Sequence, residues 1–141
     1  MLRELILLVL ILTLETLVSN AQSFTFSKMN TQFPTLGASI VDVKGEIIMT
    51  DSTITQTAMG IVSTTPIVKI NEVEYKIKIG DNDIRYKLAP IPQFTKDMLK
   101  DKRGKWLVKE MEFATHILIM DMVDRFTNQH TIISIYLTPK Q

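Results

Sequence analysis

Four cations crowded into one short stretch are the residues of this 141-residue chain whose types and spacing most invite chemistry. VEYKIKIGDNDIRYKL, residues 73–88, alternates apolar and polar on both sides of Gly80-Asp81-Asn82-Asp83. Those four residues tolerate positive φ or bond their own backbone, so they read as a turn. Val73, Tyr75, Ile77 and Ile79 share one face of the first strand, and Ile84, Tyr86 and Leu88 share one face of the second. Bringing those faces together predicts the pairs Ile79–Ile84, Ile77–Tyr86 and Tyr75–Leu88, since a one-residue slip exposes every apolar side chain. The other face then sets Lys78 across from Arg85 and Lys76 across from Lys87. Like charges opposed across strands are destabilising. Either they splay into solvent beside acids such as Glu74, or Lys76, Lys78, Arg85 and Lys87 form a binding surface for an anionic small molecule, a glycan or an acidic protein.

Other constellations carry less. Asp81-Asn82-Asp83 opens like a calcium loop, but DNDIRYKLAPIP lacks the later ligands and bidentate Glu that calcium needs, which leaves a plain turn. His116 and His130 flank one C-terminal hairpin, with Asp121 and Asp124 as the nearest further ligands; two isolated histidines do not define a metal site. Asp121 shares a strand face with Ile117 and Ile119, where partial burial would raise its pKa, although a strand end reached by water is the simpler expectation. There is no cysteine, which excludes disulfides, thiolate zinc sites and thiol nucleophiles. No nucleophile elbow, zinc-protease helix, phosphate loop or dinucleotide turn is present, and five glycines leave little room for Gly-rich loops. No catalytic residue, metal site or cofactor is assigned. A net charge of +1 gives no global field directed at nucleic acid.

The elements that must position these residues are nearly all strands. Residues 23–28 (SFTFSK) place Phe24 and Phe26 on one face, and residues 33–37 (FPTLG) form a loop. Residues 39–43 and 46–50 read as a hairpin around a Lys44-Gly45 turn. Short strands follow at 52–56 and 60–63, then at 67–70 after Pro66. The charged hairpin precedes APIPQ (89–93), a connection that lacks two backbone donors. TKDMLKDKR (95–103) is the one helical stretch of the body, capped by Thr95 and ended by Gly104. Its extended run KDMLKDKRGK (96–105) forms a solvated helix and loop. Residues 106–113, 116–123 and 131–137 complete the sheet; HILIM is apolar on both faces and belongs mid-sheet. Trp106 either lines a pocket or covers the end of the core, and the scattered methionines fill it. The expected fold is all-β: a single antiparallel sandwich or small lipocalin-like barrel with one short helix.

Ahead of this domain, Leu5–Leu14 is apolar apart from Thr13, too short for the ~20 residues a bilayer span needs and suited to a signal-peptide core of roughly 7–15 residues. Glu15 closes that run, and Ser19-Asn20-Ala21 is an A-x-A-like site. Residues 1–21 therefore read as a cleavable signal-peptide helix, cut between Ala21 and Gln22, and residues 22–141 as one β-rich domain, periplasmic or secreted. Membrane contact is expected only through an uncleaved leader. With SNAQSFTFSK, the hairpin VDVKGEIIMT and the alternating later strands, the layout resembles small exported all-β proteins of Bacteroidetes-type bacteria, whose function is unknown. That resemblance implies an envelope or secreted location and transfers no functional residue. The expected function is non-catalytic binding of a small ligand or anionic partner in the cell envelope. The alternatives are a structural or interaction protein using a sheet edge, and a small hydrolase or isomerase using Asp121 or His116.

Overall fold

Nine strands carry the body of the chain: β1 (Gln22–Phe33), β2 (Gly37–Met49), β3 (Thr53–Ala58), β4 (Ile61–Pro66), β5 (Val68–Lys69), β6 (Glu74–Ile79), β7 (Asn82–Pro90), β8 (His116–Asp124) and β9 (His130–Pro139). The computed structural model describes residues 2–6, 21–79, 82–107 and 109–141, without the side chains of Lys78, Ile79 and Glu110. The expected leader falls mostly on residues 7–20, outside the described residues; residues 2–6 are helical. No helix among the described residues is long and apolar enough to cross a membrane.

The sheet order is β4-β3-β2-β1-β9-β8-β7-β6-β5, and every named pairing is antiparallel. The chain therefore travels round a ring, each strand beside its neighbour in sequence, with β9 returning to β1. Strand directions make β4 and β5 run the same way, and only Ile67 separates them. They act as one stave that changes partners. Its first part pairs with β3, and the Ile67 amide still donates to the Ser52 carbonyl at 2.9 Å; its last part pairs with β6, and the Ile70 amide donates to the Glu74 carbonyl at 2.8 Å. The sheet is thus a nearly closed, barrel-like meander, pinned at one end of a seam and open at the other.

Alternation fills its interior. Phe24, Phe26, Ile47, Met49, Ile54, Tyr75, Tyr86, Leu88, Leu118, Met120, Ile135 and Leu137 form one buried cluster with Ile67. This one cluster occupies the inside of a ring of about eight staves, a size at which side chains rather than a channel are expected within. β8 is an internal strand, as its two apolar faces require.

Three expectations need correction. Lys44-Gly45 is no hairpin turn: β2 runs straight through it. A Cβ on Gly45 would lie 2.5 Å from Cζ of Phe26 and 2.5 Å from the Thr57 carbonyl oxygen, so this glycine marks close packing within a strand. A β-bulge beside it, between Phe26 and Lys28, shifts the register against β2, and β1 shifts against β9 between Thr25 and Met29. Bulges bend strands and help a sheet curl. The helix, α1, spans Gln93–Met98 and is preceded by Pro92 at φ −61°; Thr95 does not cap it. It stops short because the Asp101 carboxylate accepts from the amides of Arg103 and Lys105, both at 2.9 Å, and folds the next residues into a loop. Residues 106–113 are not a strand; Lys109–Glu112 form a 3₁₀ turn, and Met111 and Ala114 are buried as the chain returns to β8.

Candidate functional site

The β6–β7 hairpin keeps the expected faces but slips by two residues. Its pairs are Ile77–Ile84, Tyr75–Tyr86 and Ile79–Asn82. The two residues between the strands, Gly80 and Asp81, lie outside the described residues. The charge ladder changes with it. Lys76 faces Arg85, but Lys78 faces Asp83 and Lys87 faces Glu74. On its other side Arg85 faces Asp121, and Lys87 faces Ile119. One like-charge opposition remains where two were expected.

That remaining pair lies at the fork of the seam. β5 pairs with β6 only at Tyr75 and Lys76, so Ile77–Ile79 have β7 on one side and no strand on the other among the described residues. A hollow of about 350 Å³ opens beside this edge, lined by Val68, Lys76, Ile77, Asp83, Ile84 and Arg85. The free end of the β6 edge, three apolar side chains and two cations thus meet in one concavity, with Asp83 beside them. Among the described residues neither cation is in an ion pair.

A second recess, about 250 Å³, occupies the pinned end of the ring. Its rim is built by local polar turns: the Thr50 hydroxyl accepts from the amides of Ser52 and Thr53, and the Asn71 side-chain oxygen accepts from those of Val73 and Glu74. Gln22, Asp51, Lys69, Glu72, Tyr75 and His116 line it. The Lys69 ammonium donates to Asp51 at 3.2 Å, and this hydrogen bond raises its pKa against the opposing effect of burial. His116 is half-buried against Phe24, with ring centroids 5.1 Å apart, and desolvation lowers its pKa. Its Nδ1 shares a 2.8 Å hydrogen bond with the Thr115 hydroxyl, so no carboxylate orients the ring. Although His116 shares the recess with Asp51 and Glu72, those acids sit around Lys69, at 3.2 and 3.9 Å.

A third hollow, about 620 Å³, lies over the bulge and was not foreseen. Phe113, 65% exposed, and Tyr136 flank it, with Thr25, Ser27, Lys44, Glu46 and Thr138. Ser27 Oγ is buried without a hydrogen-bond partner among the described residues. Sequence could not announce this groove, because the bulge that shapes it has no local signature and Phe113 was assigned to a strand.

The remaining candidates separate. His116 and His130 stand at opposite ends of the β8–β9 pair, opposite Leu137 and Val123. His130 Nδ1 meets Asp121 at 2.8 Å, while Asp124 accepts from the Phe126 amide at 2.9 Å and shapes the β8–β9 turn. No group of three metal-ligating side chains occurs among the described residues. Trp106 lies under the ammonium groups of Lys96 and Lys100, 5.6 and 5.0 Å from its ring, and tethers α1 to the following loop. Comparison with protein-family models, curated proteins and solved structures finds no match to this chain.

Proposed function

We propose that this chain is a non-catalytic binding domain of the cell envelope that takes an extended, acidic segment of a partner protein into its open seam. The observation that carries this reading is the coincidence of the unpaired β6 edge with Lys76 and Arg85 beside a hollow of about 350 Å³. A strand added to a sheet edge gains main-chain hydrogen bonds whatever its sequence, and flanking pockets and charges then select among segments. Here Ile77 and Ile84 offer an apolar floor, and Lys76 and Arg85 favour acidic side chains. The buried apolar cluster that occupies the interior supports a site at the seam over one inside the barrel. Export follows the sequence expectation of a cut between Ala21 and Gln22. β1 begins at Gln22, so such a cut leaves the first strand whole.

The test is titration of the folded domain with a nine-residue peptide alternating Glu and Val, against its Lys–Val counterpart, at low and physiological salt. The acidic peptide should bind, salt should weaken it, and Lys76→Glu/Arg85→Glu should lower affinity at least tenfold. Equal binding of both peptides, or indifference to the double reversal, would rule out the seam as an acidic-segment site.

A second reading rests on the recess at the pinned end, where Gln22, Tyr75 and His116 surround about 250 Å³. It suits a small polar ligand, and chemical-shift changes confined to His116 and Tyr75 on screening small metabolites would favour it.

A further inference from the structure

Beyond the seam, β2 presents a second open edge. β3 pairs with β2 only from Gly45 to Met49, whereas β1 accompanies β2 as far as Gly37. Gly37–Asp42 therefore form an outer edge of the sheet, backed by β1 and beyond it by β9, with no strand on their other side among the described residues, and all six are exposed. Ile40 is 64% and Val41 47% exposed. Natural sheets blunt such edges with lysine, proline, bulges or cover. This one has no proline, and its single charge, Asp42, is bonded to Lys28 at 2.9 Å.

We propose that this edge pairs with the same edge of a second copy of the chain. Geometry restricts the register. In an antiparallel pair, directly opposed residues either both point their backbone groups across or both point them away. Two identical strands must then pair about a residue, not between two residues. Centring on Ile40 sets it opposite its own copy, Ser39 opposite Val41, and Ala38 opposite Asp42, so the exposed apolar residues meet and no like charges oppose. Centring on Ser39 instead sets Asp42 opposite Leu36, which is less favourable. A second copy fits this edge because its own exposed residues are self-complementary: pairing about Ile40 joins apolar side chains and keeps the two Asp42 carboxylates apart. The interface is isologous and closes as a dimer.

The chain has no native cysteine, so an introduced one reports without background. Residues opposed across an antiparallel pair have Cα atoms ~4.5–5.5 Å apart, within disulfide reach. Under mild oxidation Ile40→Cys should give a covalent dimer at micromolar protein, while Val62→Cys, on the comparably exposed β4 edge, should not. In parallel, native mass spectrometry of the unmodified domain should show a concentration-dependent dimer, and Ile40→Lys should raise its dissociation constant at least tenfold with thermal unfolding unchanged. Equal crosslinking of both cysteine variants would reveal unspecific edge association and overturn the proposal. So would an unmodified chain that stays monomeric at hundreds of micromolar, and crosslinking through Ser39→Cys alone would overturn the register. None of these outcomes depends on the peptide-binding result at the seam.

Discussion

Gly45→Ala decides whether β2 is one strand or two. The added methyl would stand 2.5 Å from the Phe26 ring and 2.5 Å from the Thr57 carbonyl oxygen, where real Cβ contacts essentially never occur. The ring can rotate, but the carbonyl belongs to the β3 backbone paired beside it, where Thr57 lies opposite Glu46. Relief therefore requires either a shift of β3 or a displacement of Phe26, which is 6% exposed, from the core. Overpacking of this kind costs about 1–3 kcal/mol, and the backbone contact places it at the upper end, ~3 kcal/mol. For a domain of this size that lowers Tm by roughly 10 °C. The comparison is Gly37→Ala, where φ is 77° but nothing lies within 4 Å; it carries only the left-handed penalty, about 1 kcal/mol. Urea unfolding of both variants measures the difference, and adding Phe26→Leu to Gly45→Ala should recover part of the loss, because the Thr57 contact persists. If Gly45→Ala is as mild as Gly37→Ala, the continuous, tightly curled β2 is wrong and the turn suggested by Lys44-Gly45 returns.

Leu118→Ala removes a side chain with no exposure at the heart of β8 and should cost about 2–5 kcal/mol by chemical denaturation. Burial lowers the His116 pKa from 6.5; the unfolded chain takes up that proton first as pH falls, so the stability held above about 6.5 is lost on acidification. His116→Phe should flatten that part of the pH–stability curve, as followed by thermal unfolding between pH 7.5 and 5. Tyr86 behaves oppositely: burial raises its pKa from 10.0, so its contribution is whole below pH 10 and lost above it, and ultraviolet titration should show a late-ionising tyrosinate that disappears in Tyr86→Phe.

Sequence alternation identified the interior faces because the side-chain period of a strand is two, and burial enforces it. Phe24, Phe26, Tyr75, Tyr86 and Leu88 are all buried, and HILIM is internal. What alternation cannot resolve is any feature that preserves parity or interrupts it once. The β6–β7 register moved by two residues, which leaves every face intact and changes every partner. Glycine at 45 carries the same letter in a turn and beneath an aromatic ring; only the presence of Phe26 across the pair distinguishes them. The helix boundary failed because an Asp101 side chain competes for backbone donors that a longer helix would have kept internal.

The two-residue slip also alters what the cationic stretch means. With Lys78 opposite Arg85 and Lys76 opposite Lys87, charge alone would have to explain the patch, and solvent would be a sufficient answer. In the observed register Lys87 sits between Glu74 and Ile119, and Lys78 is paired in register with Asp83. Lys76 and Arg85 remain, at the point where β5 gives out and β6 loses its outer neighbour. Like charges in contact cost stability across a strand pair, and a free edge invites unwanted pairing. Either feature alone is a tolerable imperfection. The proposed occupant, an extended segment whose backbone completes the edge and whose carboxylates separate the two cations, would resolve both at once. Stability therefore supplies its own check on the seam. Arg85→Gln should leave the free domain unchanged or slightly more stable while weakening the acidic peptide, whereas a residue retained for folding would show the loss in both.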